Sequence, residues 1–369
     1  MTYDFLIIGG GIAGASAAYE LAAHGTVLVL EGEDAVGYHA TGRSAALFTR
    51  NYGSATVRQV NAVSAGFFRA PPAGFADSPL MTPRGGLTVA HEEDADDLDA
   101  LLALSETGEE ITEIGPDEAS AMVPFLRPGR VKRAVFEANV TDIDVATLHA
   151  SYLKGARSLG ASILVKHAVK ALTHKGDIWT AKTTQKEFNA TVVVNASGAW
   201  ADQIGAMAGA RRIGLVPKRR TAIIVKPPVD LNCATMPAID FAGSDAYLKP
   251  AGGMLMASPG DATPVDPHDA WADDMDIAVL ADWIETETTI KIEKIEHSWA
   301  GLRSFVADEA PVVGYDTKVP NFFWLAGQGG YGIMMAPALA ILTTELITTG
   351  RPGKAGEDFA KALLPQRLV

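Results

Sequence analysis

Among 369 residues there is a single cysteine, Cys233. One thiol closes no internal disulfide and builds no thiolate metal cluster, so the composition fits a reducing compartment, and the cytoplasm is the expectation. No His spacing suggests a metal centre, and none is expected. Positive charge is in deficit: 31 Lys and Arg face 44 Asp and Glu, a formal charge of −13. Binding along phosphates needs clustered Lys and Arg, so nucleic acid and anionic membrane surfaces are excluded as partners. Aromatic residues make up 7 % of the chain and the six tryptophans are dispersed, which leaves no stacking platform for bases. Long hydrophobic runs are lacking as well. The apolar stretch 5–23 has no basic leader and is broken by Gly9, Gly10, Gly11, Gly14 and Glu20. The next best, Ile333 to Leu342, is shorter than the about 18 residues of a span. No integral membrane segment is expected.

What is present is apolar residue, 48 % of the chain against 20 % charged, enough for a sizeable core. The length suits two or three domains or one composite unit. Phe5-Leu6-Ile7-Ile8 reads as a strand buried on both faces, followed at once by Gly9-Gly10-Gly11-Ile12-Ala13-Gly14 and then by the helix formers Ala15 to Ala23. A second apolar run, Val27 to Leu30, ends at Glu31. This is the strand–turn–helix–strand–acid context that a G-x-G-x-x-G match requires. Gly9 permits the turn, Gly11 lets the backbone approach a pyrophosphate, and Gly14 allows close helix–strand packing. The helix N-terminus aims N–H groups at phosphates. Glu31 can accept the ribose hydroxyls and repels a 2′-phosphate. The unit alone does not separate FAD from NAD.

Three further small-residue turns bear on that choice. Gly37 to Ala46 follows the second strand and contains Gly42, Arg43, Ser44, Ala45 and Ala46. A β-branched strand, Thr191 to Val194, runs into Asn195-Ala196-Ser197-Gly198-Ala199-Trp200. Phe322 to Ala326 runs into Gly327-Gln328-Gly329-Gly330-Tyr331-Gly332-Ile333, and a helix starting near Ile333 would point its N–H groups at an acceptor that becomes negative on reduction.

Taken in order, these blocks resemble the D-amino-acid oxidase-like family of FAD-dependent amine and amino-acid oxidoreductases. Pro217-Lys218-Arg219-Arg220, Tyr247-Leu248-Lys249-Pro250 and the run from Trp299 through Gly301 and Arg303 to Asp308 make the D-arginine dehydrogenase branch the most similar. The resemblance implies an α/β composite fold: a Rossmann-like FAD-binding domain from residues 1–80, 141–212 and 296–369, interleaved with a mostly antiparallel-sheet substrate domain from 81–140 and 213–295. It also implies FAD contacts from the turn blocks and Gly301, with the backbone of Val169 at the adenine. Cys233 lies away from every flavin block, so noncovalent FAD is expected.

Oxidising an α-amino acid on FAD requires a carboxylate clamp, a Cα–H aimed at flavin N5 and a neutral amine. Arg supplies a planar fork for a carboxylate. The resemblance makes Arg303 the first candidate. Arg219 and Arg220 are adjacent on a strand and so face opposite ways; alignment of the blocks favours Arg220. Tyr52 and Tyr247 are the phenols placed in the pocket, and no side chain is required as a base.

Two positions depart from the arginine-active branch. Gly86 stands where relatives carry a glutamate that meets the substrate guanidinium, and Leu47 replaces a histidine. With Thr49, Gly330 and Met334 these residues form the expected pocket. An unpartnered cationic side chain is costly to bury, so the expected substrate is a neutral or hydrophobic D-amino acid, converted through the imine to a 2-oxo acid and ammonia. Sarcosine-like secondary amines or opines are the alternative, and a noncatalytic flavin-binding subunit is a second one. The electron acceptor, oxygen or quinone, is left open. For the connecting elements, the pattern predicts helices over Thr56 to Arg69 and Asp144 to Leu159, and strands over Ser162 to Leu172 and Lys291 to Ser298.

Overall fold

The computed structural model describes residues 1–104, 110–228 and 231–368. Its fold is mixed α/β. Among those residues the backbone forms an eight-stranded sheet, a nine-stranded sheet and a small three-stranded one. The first sheet is built on Thr2–Ile8, which lies parallel to Val27–Leu30 on one side and to Glu187–Asn195 on the other. The strand Phe322–Ala326 joins parallel to Glu187–Asn195. All four residues of Val27–Leu30 and all five of Phe322–Ala326 are buried, as an apolar run without alternation requires of a strand covered on both faces. The helix Ile12–Leu21 packs against Gly332–Thr349 and against Val145–Ser158 on one side of this sheet.

Asp144 caps Val145–Ser158 by accepting from the Thr147 amide at 2.9 Å, and Ser54 caps Ala55–Arg69, so both helices form where the pattern placed them. Gly332–Thr349 is long and apolar enough to cross a membrane. It is 67 % buried inside the protein, where it serves as a core helix between the first helix and Ala55–Arg69.

The nine-stranded sheet is mostly antiparallel. At one end lies the ladder between Val216–Val225 and His297–Phe305, continued by Met254–Ser258, Tyr247–Ala251, Ala238–Phe241 and Gly86–Ala90. The helix Asp274–Glu287 covers its outer face, where Leu280 and Ile284 join a core with Leu87, Ile223, Ile239 and Leu248.

Three expectations change. His297–Phe305, grouped from the sequence with the flavin segments, pairs along its whole length with Val216–Val225 and belongs to the second sheet. That strand begins at His297, not Lys291, because residues 291–296 run as an irregular connection whose Ile292 amide is held by Glu285. Ser162 to Leu172 breaks into Ser162–Leu164 and Val169–Lys175. At the break Lys166 turns to φ 60° and the amides of Lys166 and His167 bond the Glu33 and Glu31 carbonyls.

Candidate active site

The turn after the first strand is shaped by contacts a side chain would destroy. Gly9 has φ 107°, and a Cβ there would run into the Ala196 carbonyl oxygen. Glu31, at the end of the second strand, accepts the Gly10 amide at 2.8 Å and the Glu33 amide at 3.0 Å. Thr41 Oγ1 accepts the Ile12 amide at 2.9 Å, capping the first helix from the following loop. His149 Nε2 lies 2.9 Å from the Gly10 carbonyl, and burial lowers its pKa, which favours the neutral ring.

From this turn a cavity of ≈ 520 Å³ runs between the two large sheets. Gly9, Gly11, Ile12, Ala13 and Glu31 line it, with Arg43, Ser44, Ala45, Val169, Gly198 and Trp200. Arg220, Tyr247, Gly301, Arg303, Gly329, Gly330, Gly332 and Ile333 share the same wall. Residues from separated blocks thus meet at one surface, at the carboxyl ends of parallel strands where α/β folds hold ligands.

The arginines are placed by register. Arg220 pairs with Gly301 and Lys218 with Arg303, so Arg220 and Arg303 project to the same face of neighbouring strands. Arg219 points the other way, with Nη2 2.7 Å from Asp276 and Nη1 3.4 Å from Asp273. Burial and the charge of Arg303 lower the pKa of Arg220, against opposing contributions from Tyr247, Tyr52 and Asp261. Two guanidinium groups facing one enclosed space make an anion site. Burial, followed by the neighbouring Tyr52, pushes the Tyr331 phenol up to about 12, so it stays protonated.

Other expected residues lie off this cavity. Gly14 packs beneath the turn, against the Gly9 carbonyl. Gly42 donates its amide to the Gly37 carbonyl at 2.8 Å, and Ala46 holds φ 55° just beyond Ala45. Tyr331 starts the last long helix, and Tyr52, which is exposed, packs edge-on against it with ring centroids 5.1 Å apart. Four expected pocket residues lie outside the cavity lining. Met334 turns into the core of the first domain at 4 % exposure. Leu47 is held in a two-residue strand beside Asp142. Thr49 lines a separate small recess with Glu137. Gly86 sits opposite Glu137 in the sheet and likewise does not line the cavity.

Arg43 lines the cavity, but its guanidinium is committed to protein. It bonds the Ala270 and Ala300 carbonyls at 2.9 Å each and Asp269 at 2.5 Å, riveting its loop to the second sheet. Sequence reasoning passed over Thr41, His39 and Gln328, which also line the cavity. Position within the glycine-rich blocks was the available signal for all three. Gln328 Nε2 is a buried donor with no hydrogen-bond partner among the described residues. A polar residue lining the cavity at a helix start, with a donor not used by the protein, suits a ligand carrying acceptors, as the rim of an isoalloxazine ring does. Together with the phosphate-ready first turn, these residues fit FAD. Asp240 was also missed. It pairs with Tyr247 across neighbouring strands, on the same sheet face, and accepts from Thr88 Oγ1 at 3.0 Å.

Comparison with known proteins agrees with this geometry. Residues 4–346 match the family described as DAO, FAD dependent oxidoreductase. A glycine oxidase of Geobacillus kaustophilus (strain HTA426) is 25 % identical over 361 residues, spanning 94 % of this chain and 93 % of that protein. Human mitochondrial dimethylglycine dehydrogenase is 24 % identical over 95 % of this chain, which spans 43 % of that longer protein. The crystal structure of L-proline dehydrogenase from P. horikoshii superposes with a TM-score of 0.84 at 24 % identity, covering 99 % of this chain and 97 % of that one, a likeness of fold.

Proposed function

The chain belongs to the DAO family of FAD-dependent oxidoreductases, and on that premise we propose that it oxidises the Cα–N bond of an α-amino acid. The observation that carries this reading is the pair Arg303 and Arg220, set on one face of adjacent strands in the cavity wall. Their forks take the substrate carboxylate, and Tyr247 adds a hydroxyl beside it. Their positive field also favours the neutral form of the substrate amine, so the proton leaves to water and no side-chain base is needed. FAD, held by the glycine turns that line the cavity, would supply the two-electron oxidation. The resulting imine hydrolyses to a 2-oxo acid and ammonia.

The D configuration is supported by the blocks shared with the D-arginine dehydrogenase branch, and a neutral side chain by the lack here of that branch's guanidinium-binding glutamate, since neither Gly86 nor Leu47 lines the cavity. A second reading of the side chain has one observation behind it. The Asp240 carboxyl stands beside Tyr247 and would meet a cationic terminus. Sarcosine-like secondary amines or opines are the alternative substrates, supported by the likeness to dimethylglycine dehydrogenase, whose substrate is likewise an N-alkylated amino acid. Oxygen or a quinone accepts the electrons in turn. FAD is held without a covalent bond, since Cys233 is buried in the core of the second sheet; flavin should stay in the supernatant after acid precipitation. The FAD-binding unit comprises 1–80, 141–212 and the segment from 296, with 297–305 shared between units, and the substrate unit comprises 81–140 and 213–295. Cytoplasmic placement rests on the lone thiol.

Anaerobic mixing of the holoenzyme with D- and L-leucine, D-lysine and sarcosine tests the reaction and its substrate. Bleaching of the flavin by D-leucine well ahead of the others is the expected result. No bleaching by any amino acid would overturn the reading, and fastest bleaching by sarcosine would move it to the secondary amines.

A further inference from the structure

Lys249 is a buried lysine, 7 % exposed, in the strand Tyr247–Ala251. It lies two residues beyond Tyr247 and therefore on the same sheet face. Its cross-strand partner is Met256, which lines the cavity. The Lys249 ammonium does not reach solvent. Nζ donates to the Ala45 carbonyl at 2.8 Å and to Asp142 Oδ1 at 2.5 Å.

Ala45 belongs to the cavity wall, and the next residue, Ala46, holds a left-handed φ of 55° that an L residue adopts only under constraint. The constraint is visible on both sides of Ala46. Its carbonyl takes the Ile143 amide at 2.8 Å, and its amide is bound by Ser44 Oγ at 3.1 Å. Asp142, the anchor of Lys249, also receives Arg84 Nε at 2.7 Å, and Arg84 Nη1 donates to the Ala234 and Met236 carbonyls at 2.7 and 2.9 Å. One carboxylate thus serves two cations, and the surplus positive charge sits next to the cavity wall. Burying a charge is costly unless it is paired and hydrogen-bonded, and Asp142 and the Ala45 carbonyl meet both conditions here.

We propose that Lys249 is a positioning residue for bound flavin: anchored by Asp142, it holds the Ala45 carbonyl and so fixes the Ser44–Ala46 backbone against the cofactor, and its charge adds to the positive field there. The proposal rests on flavin occupying this cavity and is independent of which amine is oxidised.

The test compares the holoenzyme with Lys249→Met and Lys249→Arg. The readouts are FAD affinity by fluorescence titration of the apoprotein, the visible bands of bound flavin, its midpoint potential, and thermal unfolding. Lys249→Met should bind FAD at least tenfold more weakly, displace the visible bands and make the potential more negative. In turnover it should lower kcat while leaving KM for the amine within about twofold. Lys249→Arg should recover most of each property. A loss of melting temperature with wild-type FAD affinity, bands and potential would show a merely structural ion pair and overturn the proposal. If Lys249→Met does not accumulate, Asp142→Asn takes its place, since it leaves the lysine without its anchor. Weakened FAD binding with displaced bands supports the proposal, and flavin properties like wild type overturn it.

Discussion

A Cβ on Gly330 would stand 2.9 Å from Nη1 and 3.0 Å from Cζ of Arg303. The guanidinium lies flat across a glycine because nothing larger leaves it room. The turn that begins the last long helix therefore sets the height of the proposed clamp. Gly330→Ala should displace the fork while keeping flavin bound. The expected loss is roughly 2–3 kcal/mol in the transition state, about 10²-fold in kcat/KM. Arg303→Lys, which keeps the charge but not the fork, should lose a similar amount. Steady-state kinetics with flavin content measured alongside checks both.

The two phenols are not equivalent. Tyr247 lines the cavity, whereas Tyr52 is exposed and leans on Tyr331. Tyr247→Phe should raise KM on the order of tenfold, the worth of one hydrogen bond to a charged group. Tyr52→Phe should stay within about threefold. The reverse order in substrate titrations would move the carboxylate site toward the loop that carries Tyr52.

Glu31 orders the glycine turn by taking two backbone amides at once. Glu31→Ala frees both and should weaken FAD by roughly 2 kcal/mol, about thirtyfold in Kd. Fluorescence titration of the apoprotein gives the number directly, and an unchanged Kd would mean that the turn is held by its glycines alone.

Asp240 keeps an exposed edge, yet the protein packed around its carboxyl strips enough water to raise the pKa to about 6. Nearby Glu137 adds to the effect, although Thr88 pulls the other way. The folded state therefore keeps this proton over a range where the unfolded chain has released it. Stability falls as pH rises from near 4 through 6, and is highest, for this group, below that window. Asp240→Asn should flatten this part of the melting-temperature profile and raise stability at pH 7. A profile identical to wild type between pH 4 and 7 would show that the carboxyl titrates as in water.

Much of this site is legible in the order of amino acids alone. The strand–turn–helix at the N-terminus can be read because buried parallel strands and glycine turns write themselves into composition, and the opposed facing of Arg219 and Arg220 follows from the two-residue period of a strand. What the sequence hides are relations between distant segments. Nothing local says that Lys166 and His167 bond back to the end of the second strand, which splits a promising β-run into two. The burial of Met334 depends on which side of its helix meets the core, and the separation of Thr49 from the cavity depends on its small recess with Glu137. Thr41 can be noticed as a polar residue in a small-residue loop, but its capping of a helix start 29 positions earlier is purely tertiary.

The ladder between Val216–Val225 and His297–Phe305 has a consequence for how such a protein can diversify. Arg220 and Arg303 ride on it, and Ser304 bridges directly to Gly329 in the cofactor turn. The proposed clamp and the glycine turn at Gly329 are thereby joined through one ladder. Gly86–Ala90 and Ala238–Phe241 lie farther across the same sheet, beyond Tyr247–Ala251. Neither strand lines the cavity, so substitutions there can vary the outer sheet while the arginine pair keeps its register.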